Sequence, residues 1–261
     1  SGALNNTALG NYTLSALTTG DSNVALGYSA GSSLTSGHRK ILIGRSAGGA
    51  GTDLHSAVII GHYAGDAINT NNSQGSVLIG WEAGTSQTGG INIFIGYHAG
   101  RYNPAGTQNT ALGSNAGNSV TTGCRNTFIG SSAGYYTTGC CNTMLGQGAG
   151  VGVTSGNENV LLGKQAGDSG TNDLTTGSNN IIIGTFAEAS AATVSNEITL
   201  GNASITKFRI PGLNSFQIDD SGVITGTASV ASSATGVRNI TASTSAPSGG
   251  SDGDIWIKYT A

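Results

Sequence analysis

The chain has 261 residues, of which 44 are glycine and only 9% are charged, with a net charge of −3 and a pI near 5.7. That balance leaves no basic footprint for nucleic acid, and no apolar run is long enough to span a bilayer. Disorder is disfavoured as well, because it accompanies high charge and little periodic apolar content.

From Asn6 to Asn202 a block of about seventeen residues recurs twelve times, anchored on a Leu/Ile-Gly pair. The anchors are Gly10, Gly27, Gly44, Gly61, Gly80, Gly96, Gly113, Gly130, Gly146, Gly163, Gly184 and Gly201, with spacings between 16 and 21 and most often 17. A period of this kind is one solenoid coil repeated, so residues 1–202 are expected to form an all-β shaft. The predicted architecture is a parallel β-solenoid (a β-roll or β-helix) of ~17-residue coils, with a small β-rich C-terminal tip. Twelve coils at the usual strand spacing give a shaft of roughly 55 Å.

Each column of the repeat has a physical meaning. Leu or Ile directly precedes every anchor glycine, and a β-branched residue stands three before it in all twelve copies. Positions two apart on a strand point the same way, so these two columns share one face. The residue between them varies from Ala25 to Phe128 to Thr199 and faces a second, more variable environment. Four before the glycine, Asn6, Asn23, Asn92, Asn109, Asn126, Asn142, Asn159 and Asn180 would stack as an amide ladder. Nine copies carry Ala-Gly after the anchor, from Ala30-Gly31 to Ala166-Gly167, where small residues allow a sharp turn. A stack this thin buries little surface per residue, which predicts a homotrimer with either the Leu/Ile column or the variable column facing the shared axis. Because the chain opens at Ser1 in mid-repeat, it is expected to be a processed or truncated portion of something longer.

Beyond the repeats, residues 203–226 predict a transition segment, with Phe216–Ile218 and Val223–Thr225 flanking Asp219-Asp220-Ser221-Gly222 as a β-hairpin. Residues 227–236 form an Ala/Ser-rich linker, and 237–261 a strand-rich end segment holding Ile255–Tyr259. That last strand would be a sticky edge on a monomer and is expected to close the end of a trimer.

Two groups of side chains stand out within the shaft. Just after the anchor, Tyr28, Arg45, His62, Trp81 and Tyr97 follow one another over five coils, and the next column adds Tyr63, Glu82 and His98. Stacked on successive rungs they make an aromatic and cationic stripe suited to sugar rings, a candidate glycan or receptor site. The plainer reading, that the rings stack on one another or pack between subunits, is preferred. Cys124 and Cys140 share a column in adjacent coils, which puts their Cα atoms about 5 Å apart and within disulfide range. Small residues in a turn column are the preferred reading there too. Tyr135-Tyr136 form a smaller exposed pair, and the longer coils at 66–76 and 168–179 predict bulging loops.

Blocks such as NTALGSNAG, NTFIGSSAG and TTGCRNTFIG resemble the repeats of bacteriophage tail fibres and related virion appendages, and are similar to the β-roll heads of trimeric autotransporter adhesins. The segment Asn196 to Gly226 looks like the region that follows the repeats in many phage fibres, and APSGGSDGDIWIKY resembles an end motif of phage structural proteins. The resemblance implies a homotrimeric virion fibre that contacts the host surface, with other tail proteins and a host glycan or receptor as partners. It implies an extracellular position on the virion, or alternatively on a bacterial surface, without membrane insertion or nucleic-acid binding. A purely structural virion component is a further alternative.

Catalysis is not expected, nor is any metal or cofactor. Ile43–Gly48 and its copies fit one hexad of the left-handed β-helix acyltransferases, which have three per coil, and His38, His55, His62 and His98 show no recognisable partner. Glycoside cleavage needs two carboxylates about 5–9 Å apart, whereas Asp53, Asp66, Glu82, Glu158, Asp168 and Asp173 are scattered over different coils and columns.

Overall fold

The computed structural model describes residues 2–52, 55–68 and 75–206 in full, together with the backbone of 240–243 and 255–258. Each coil contributes one three-residue strand: β1 Thr7–Leu9, β2 Val24–Leu26, β3 Ile41–Ile43, β4 Val58–Ile60, β5 Val77–Ile79, β6 Ile93–Ile95, β7 Thr110–Leu112, β8 Thr127–Ile129, β9 Thr143–Leu145, β10 Val160–Leu162, β11 Ile181–Ile183 and β12 Ile198–Leu200. They form one parallel sheet in chain order, each column pairing with itself, from Leu9↔Leu26 to Ile183↔Leu200. No α-helix occurs among the described residues. The shaft is therefore the all-β parallel solenoid that the period predicts.

Two compact units divide the chain, Ser1–Ser204 and Ile205–Ala261. In the second, β13 (Ile240–Ser243) and β14 (Ile255–Lys258) pair in parallel, so the strand expected near the C-terminus has a partner within its own chain. The hairpin expected at 216–225 and the linker 227–236 lie outside the described residues.

The core overturns one expectation about which column faces where. The variable middle residue of each strand is the interior one: Ala25, Leu42, Ile59, Leu78, Phe94, Ala111, Phe128, Met144, Leu161 and Ile182 are all buried. They meet the alanines that follow the anchors, Ala30 through Ala187, and a second interior column that includes Leu34, Ile68, Val120, Val153 and Leu174. The constant columns on either side point outward, with Val24 42% and Leu112 45% exposed where Phe128 is 0%. Strand alternation sets the middle residue opposite its two neighbours, so with the middle residue interior both flanking columns face outward. The variable column therefore cannot face a trimer axis. Variation is tolerated inside because bulk in one coil sits beside a gap in the next, as in Phe94, Ala111 and Phe128.

Two glycine columns set the tight stacking. A Cβ on Gly27, at φ +130°, would lie 2.7 Å from the Gly44 carbonyl oxygen, and one on Gly117, at φ +54°, 2.9 Å from Phe128 Cδ2. Coil-to-coil bonding continues past the strand, with the Gly31 N–H donating to the Ala47 carbonyl at 3.0 Å and Gly48 to Ala64 at 2.9 Å.

Side chains form two further ladders. In the asparagine column Asn126 Nδ2 donates to Asn109 Oδ1 (3.1 Å) and to the Gly139 carbonyl (2.9 Å), while its Oδ1 accepts from the Asn142 N–H (2.8 Å) and from Asn142 Nδ2 (3.1 Å). Lys40, Ala57 and Ser76 occupy this column in coils three to five. Below Ser76, buried Gln87 takes over the missing amide, its Nε2 donating to Ser76 Oγ and to the Gly89 carbonyl, both at 2.7 Å. Two residues earlier in the coil, each side chain accepts the backbone N–H of its counterpart above: Cys140 Sγ from Cys124 (3.1 Å), Asn157 from Cys140 (2.7 Å), Ser178 from Asn157 (3.0 Å) and Ser195 from Ser178 (2.9 Å). At β12 the pattern changes: Thr199 takes the interior position and Glu197 the asparagine position, its Oε1 accepting from the Ser190 N–H and the Thr199 hydroxyl at 2.9 Å each.

Candidate functional site

The stripe residues sit where each coil leaves its strand. The first follows the anchor glycine, and the second adopts left-handed backbone, with Tyr63, Glu82 and His98 at φ 56°, 51° and 56°. The same conformation recurs at Ser29, Ser46, Asn115, Ser132 and Gln165, so it belongs to the coil's geometry and not to this site alone. Its effect is to turn the second side chain back alongside the first.

All eight expected residues join in one continuous chain of contacts. Arg45 lies over the rings of Tyr28 (5.7 Å) and Tyr63 (5.5 Å), and Tyr63 stacks on His62 at 4.2 Å. His62 meets Trp81 edge-on at 4.9 Å, Trp81 lies 6.3 Å from Tyr97, and Tyr97 covers His98 at 3.7 Å. His98 Nε2 contacts Glu82 Oε2 at 3.2 Å. Three residues that sequence reasoning missed extend it. Tyr12 meets Tyr28 edge-on at 5.8 Å, Arg101 pairs with Glu82 Oε2 at 2.6 Å, and Tyr102 stacks under Arg101 at 4.8 Å. Arg101 and Tyr102 escaped notice because their columns read Ser32-Ser33 and Asn118-Ser119 in other coils. Ring stacking is thus real, and Tyr28, Trp81 and Tyr97 still present about half their surface, at 49%, 50% and 50%.

Charge in the stripe is balanced. Arg45 and Arg101 are matched in number by Asp66 and Glu82, and of these four only Arg101 and Glu82 are in ion-pair contact with each other. Burial, with Arg101 beside it, holds the His98 imidazole below its ordinary range, against the opposing pull of Glu82. Burial pushes the Asp66 carboxyl up, against the opposing pull of His62. Glu82 Oε2 and Arg101 Nε are buried and lack a hydrogen bond of good geometry, although the Glu82–Arg101 pair itself is in close ionic contact.

Cys124 and Cys140 are joined in a disulfide with Cα atoms 4.6 Å apart, where small turn residues were the preferred expectation, and Cys141 is a free, exposed thiol. Tyr135 and Tyr136 pack edge-on at 4.5 Å as a separate pair. His38 contacts Asp21 and lies 5.3 Å from His55 along the other side ladder. Among the described residues no group of three or more His, Cys, Asp or Glu side chains could hold a metal ion, and no helix is long and apolar enough to cross a membrane. No family model, no curated protein and no solved structure matches this chain.

Proposed function

We propose that this chain is a homotrimeric fibre of a bacteriophage virion, a rod on the outside of the particle that attaches to the host surface by multivalent contact. The observation that supports it is the outward face of the sheet. Its two columns hold only Thr, Val, Ile and Leu over all twelve rungs. A strip roughly 55 Å long and about 10 Å wide is on the order of 500 Å² of mostly apolar surface, its hydroxyls confined to Thr7, Thr110, Thr127 and Thr143, near the upper limit for a soluble monomer. Two further copies of the same rod, aligned in parallel, cover it with an identical surface. Three parallel rods repeat every other surface threefold, so weak single sites act together. The resemblance of the repeats and of Asn196–Gly226 supports placing the rod on a virion, among other tail proteins, with a host glycan or receptor as its target. The reading involves neither catalysis, nucleic acid nor insertion into a membrane.

Light scattering of the purified chain tests the assembly, with three copies of 25.8 kDa expected. The double substitution Leu145→Lys and Leu162→Lys, on the outward column, should dissociate it while the β-sheet circular dichroism is kept. Pre-incubating host cells with the trimer should reduce adsorption of the intact particles. A monomer that fails to compete would overturn the proposal.

A further inference from the structure

Among the described residues, four buried side-chain nitrogen and oxygen atoms have no partner, Gln87 Oε1, Arg101 Nε, and Asn103 Nδ2 and Oδ1, and a fifth, Glu82 Oε2, is held only by ionic contact with Arg101 Nη2 at 2.6 Å and His98 Nε2 at 3.2 Å. All five fall in coils five and six. Elsewhere the buried amides of the asparagine column are satisfied through their ladder, and a buried polar group left unpaired is costly. Such local departures from self-consistency concentrate where a protein is shaped for a task and not for stability.

The same two coils hold the densest chemistry of the stripe. Glu82 and His98 are largely buried, with side-chain exposures of 19% and 15%, and Arg101 is held beside them at 30%. Around this fixed ion cluster stand three half-exposed rings, Trp81, Tyr97 and Tyr102. We propose that this patch is the ligand-contacting locus of the stripe, and that it binds neutral sugars carrying adjacent hydroxyls. This rests on the attachment reading above and narrows it.

Rings offer flat apolar faces to the C–H surface of a pyranose. Glu82 Oε2 and Arg101 Nη2 are taken up in their own pair, but the two side chains keep 19% and 30% of their surface exposed, so what remains of the carboxylate and of the guanidinium offers an acceptor beside a donor to two neighbouring hydroxyls. Because both ions are pre-positioned by their pairing, little side-chain freedom is lost on binding. The charge balance selects against anionic sugars: Arg101 is already paired with Glu82, and burial holds the His98 imidazole below its ordinary range, so an incoming carboxylate or sulfate meets no unpaired guanidinium at this patch. At the other end of the stripe Arg45 lies over the rings of Tyr28 and Tyr63, and among the described residues no carboxylate is paired with it.

The test uses the full chain and follows ring fluorescence and calorimetry against maltohexaose, mannan and galactan oligomers, with polysialic acid and heparin fragments as charged probes. At least one neutral oligomer is expected to bind more tightly than either charged probe. Trp81→Ala and Arg101→Met should each weaken that binding by about tenfold or more, as expected for losing a stacked ring or a charged hydrogen bond. Glu82→Gln, which keeps the side-chain volume, guards against a folding artefact and should also weaken it, while Tyr136→Ala should leave it unchanged. A preference for the charged probes overturns the proposed selectivity. Binding that survives Trp81→Ala and Arg101→Met but is lost on Tyr28→Ala overturns the locus and leaves the stripe standing. If no oligomer binds yet the chain still blocks particle adsorption, the sugar site is wrong and the attachment reading survives. If it neither binds nor blocks, both fall.

Discussion

Replacing Asn126 by alanine isolates what holds one coil to the next. The buried Asn126 amide serves both neighbours, and its loss strips the Gly139 carbonyl and the Asn142 N–H of their partners. Asn142 Nδ2 retains its bond to the Gly156 carbonyl at 2.9 Å, so two groups, not three, are orphaned. At about 1–3 kcal/mol for each buried unpaired group, Asn126→Ala should destabilise the shaft by about 2–6 kcal/mol. That is a large part of the stability of an ordinary domain, about 5–15 kcal/mol. Equilibrium urea unfolding followed by circular dichroism measures it, with the midpoint falling and the slope unchanged. Thr122→Ala is the comparison, since its exposed hydroxyl makes only a 3.4 Å bond to the Thr138 carbonyl and its removal should cost no more than about 0.5 kcal/mol. Equal shifts for the two variants would refute the claim that the amide column ties the coils together.

Three other substitutions probe separate parts of the chemistry. Cys140→Ser keeps an acceptor for the Cys124 N–H but removes a disulfide that closes a loop of 16 residues, and unfolding under non-reducing conditions should show a loss of about 3 kcal/mol. Added reductant should lower the parent by the same amount and leave the variant unaffected. Ile91 is a β-branched residue held at φ +59° and 62% exposed, so Ile91→Asn should raise stability by about 1 kcal/mol, read as an increased thermal midpoint. Burial, then the neighbouring Asp173, raises the Asp168 carboxyl above its unfolded range. A carboxyl raised on folding favours the fold at low pH and loses that contribution as pH rises through its folded pKa. Asp168→Asn should therefore stabilise the protein at pH 7 and show no gain at pH 3, in paired denaturation curves.

The strand positions and the coil period were legible because Leu/Ile-Gly and the β-branched column recur without exception. Which side faces inward was not. The regular Leu/Ile column, as at Leu26, Leu112 and Leu162, has the look of a core, while Ala25, Phe128 and Met144 look like a tolerant surface, yet burial is the reverse. Interior bulk is set by neighbouring coils jointly, so a single column read alone shows only disorder of size. The second ladder was hidden for a chemical reason: His38, Cys140, Asn157 and Ser178 have nothing in common except a lone pair in the right place. Gln87 standing in for an absent asparagine eleven residues earlier belongs to the same class, since the substitution restores an atom and not a residue type. In the stripe, adjacency of the eight residues followed from the period, whereas the Arg101–Glu82 pair depends on how the left-handed turn aims each side chain.

An amide can hand a hydrogen bond onward because it gives with one atom and receives with another, and nothing in that chemistry counts how many times the transaction has occurred. Glu197 breaks the symmetry: an ionised carboxylate only receives, and its oxygens are claimed by Ser190 and Thr199. At this rung the amide column thus ends on a group that cannot pass a hydrogen bond onward, and Glu197→Asn would put back a side-chain donor there.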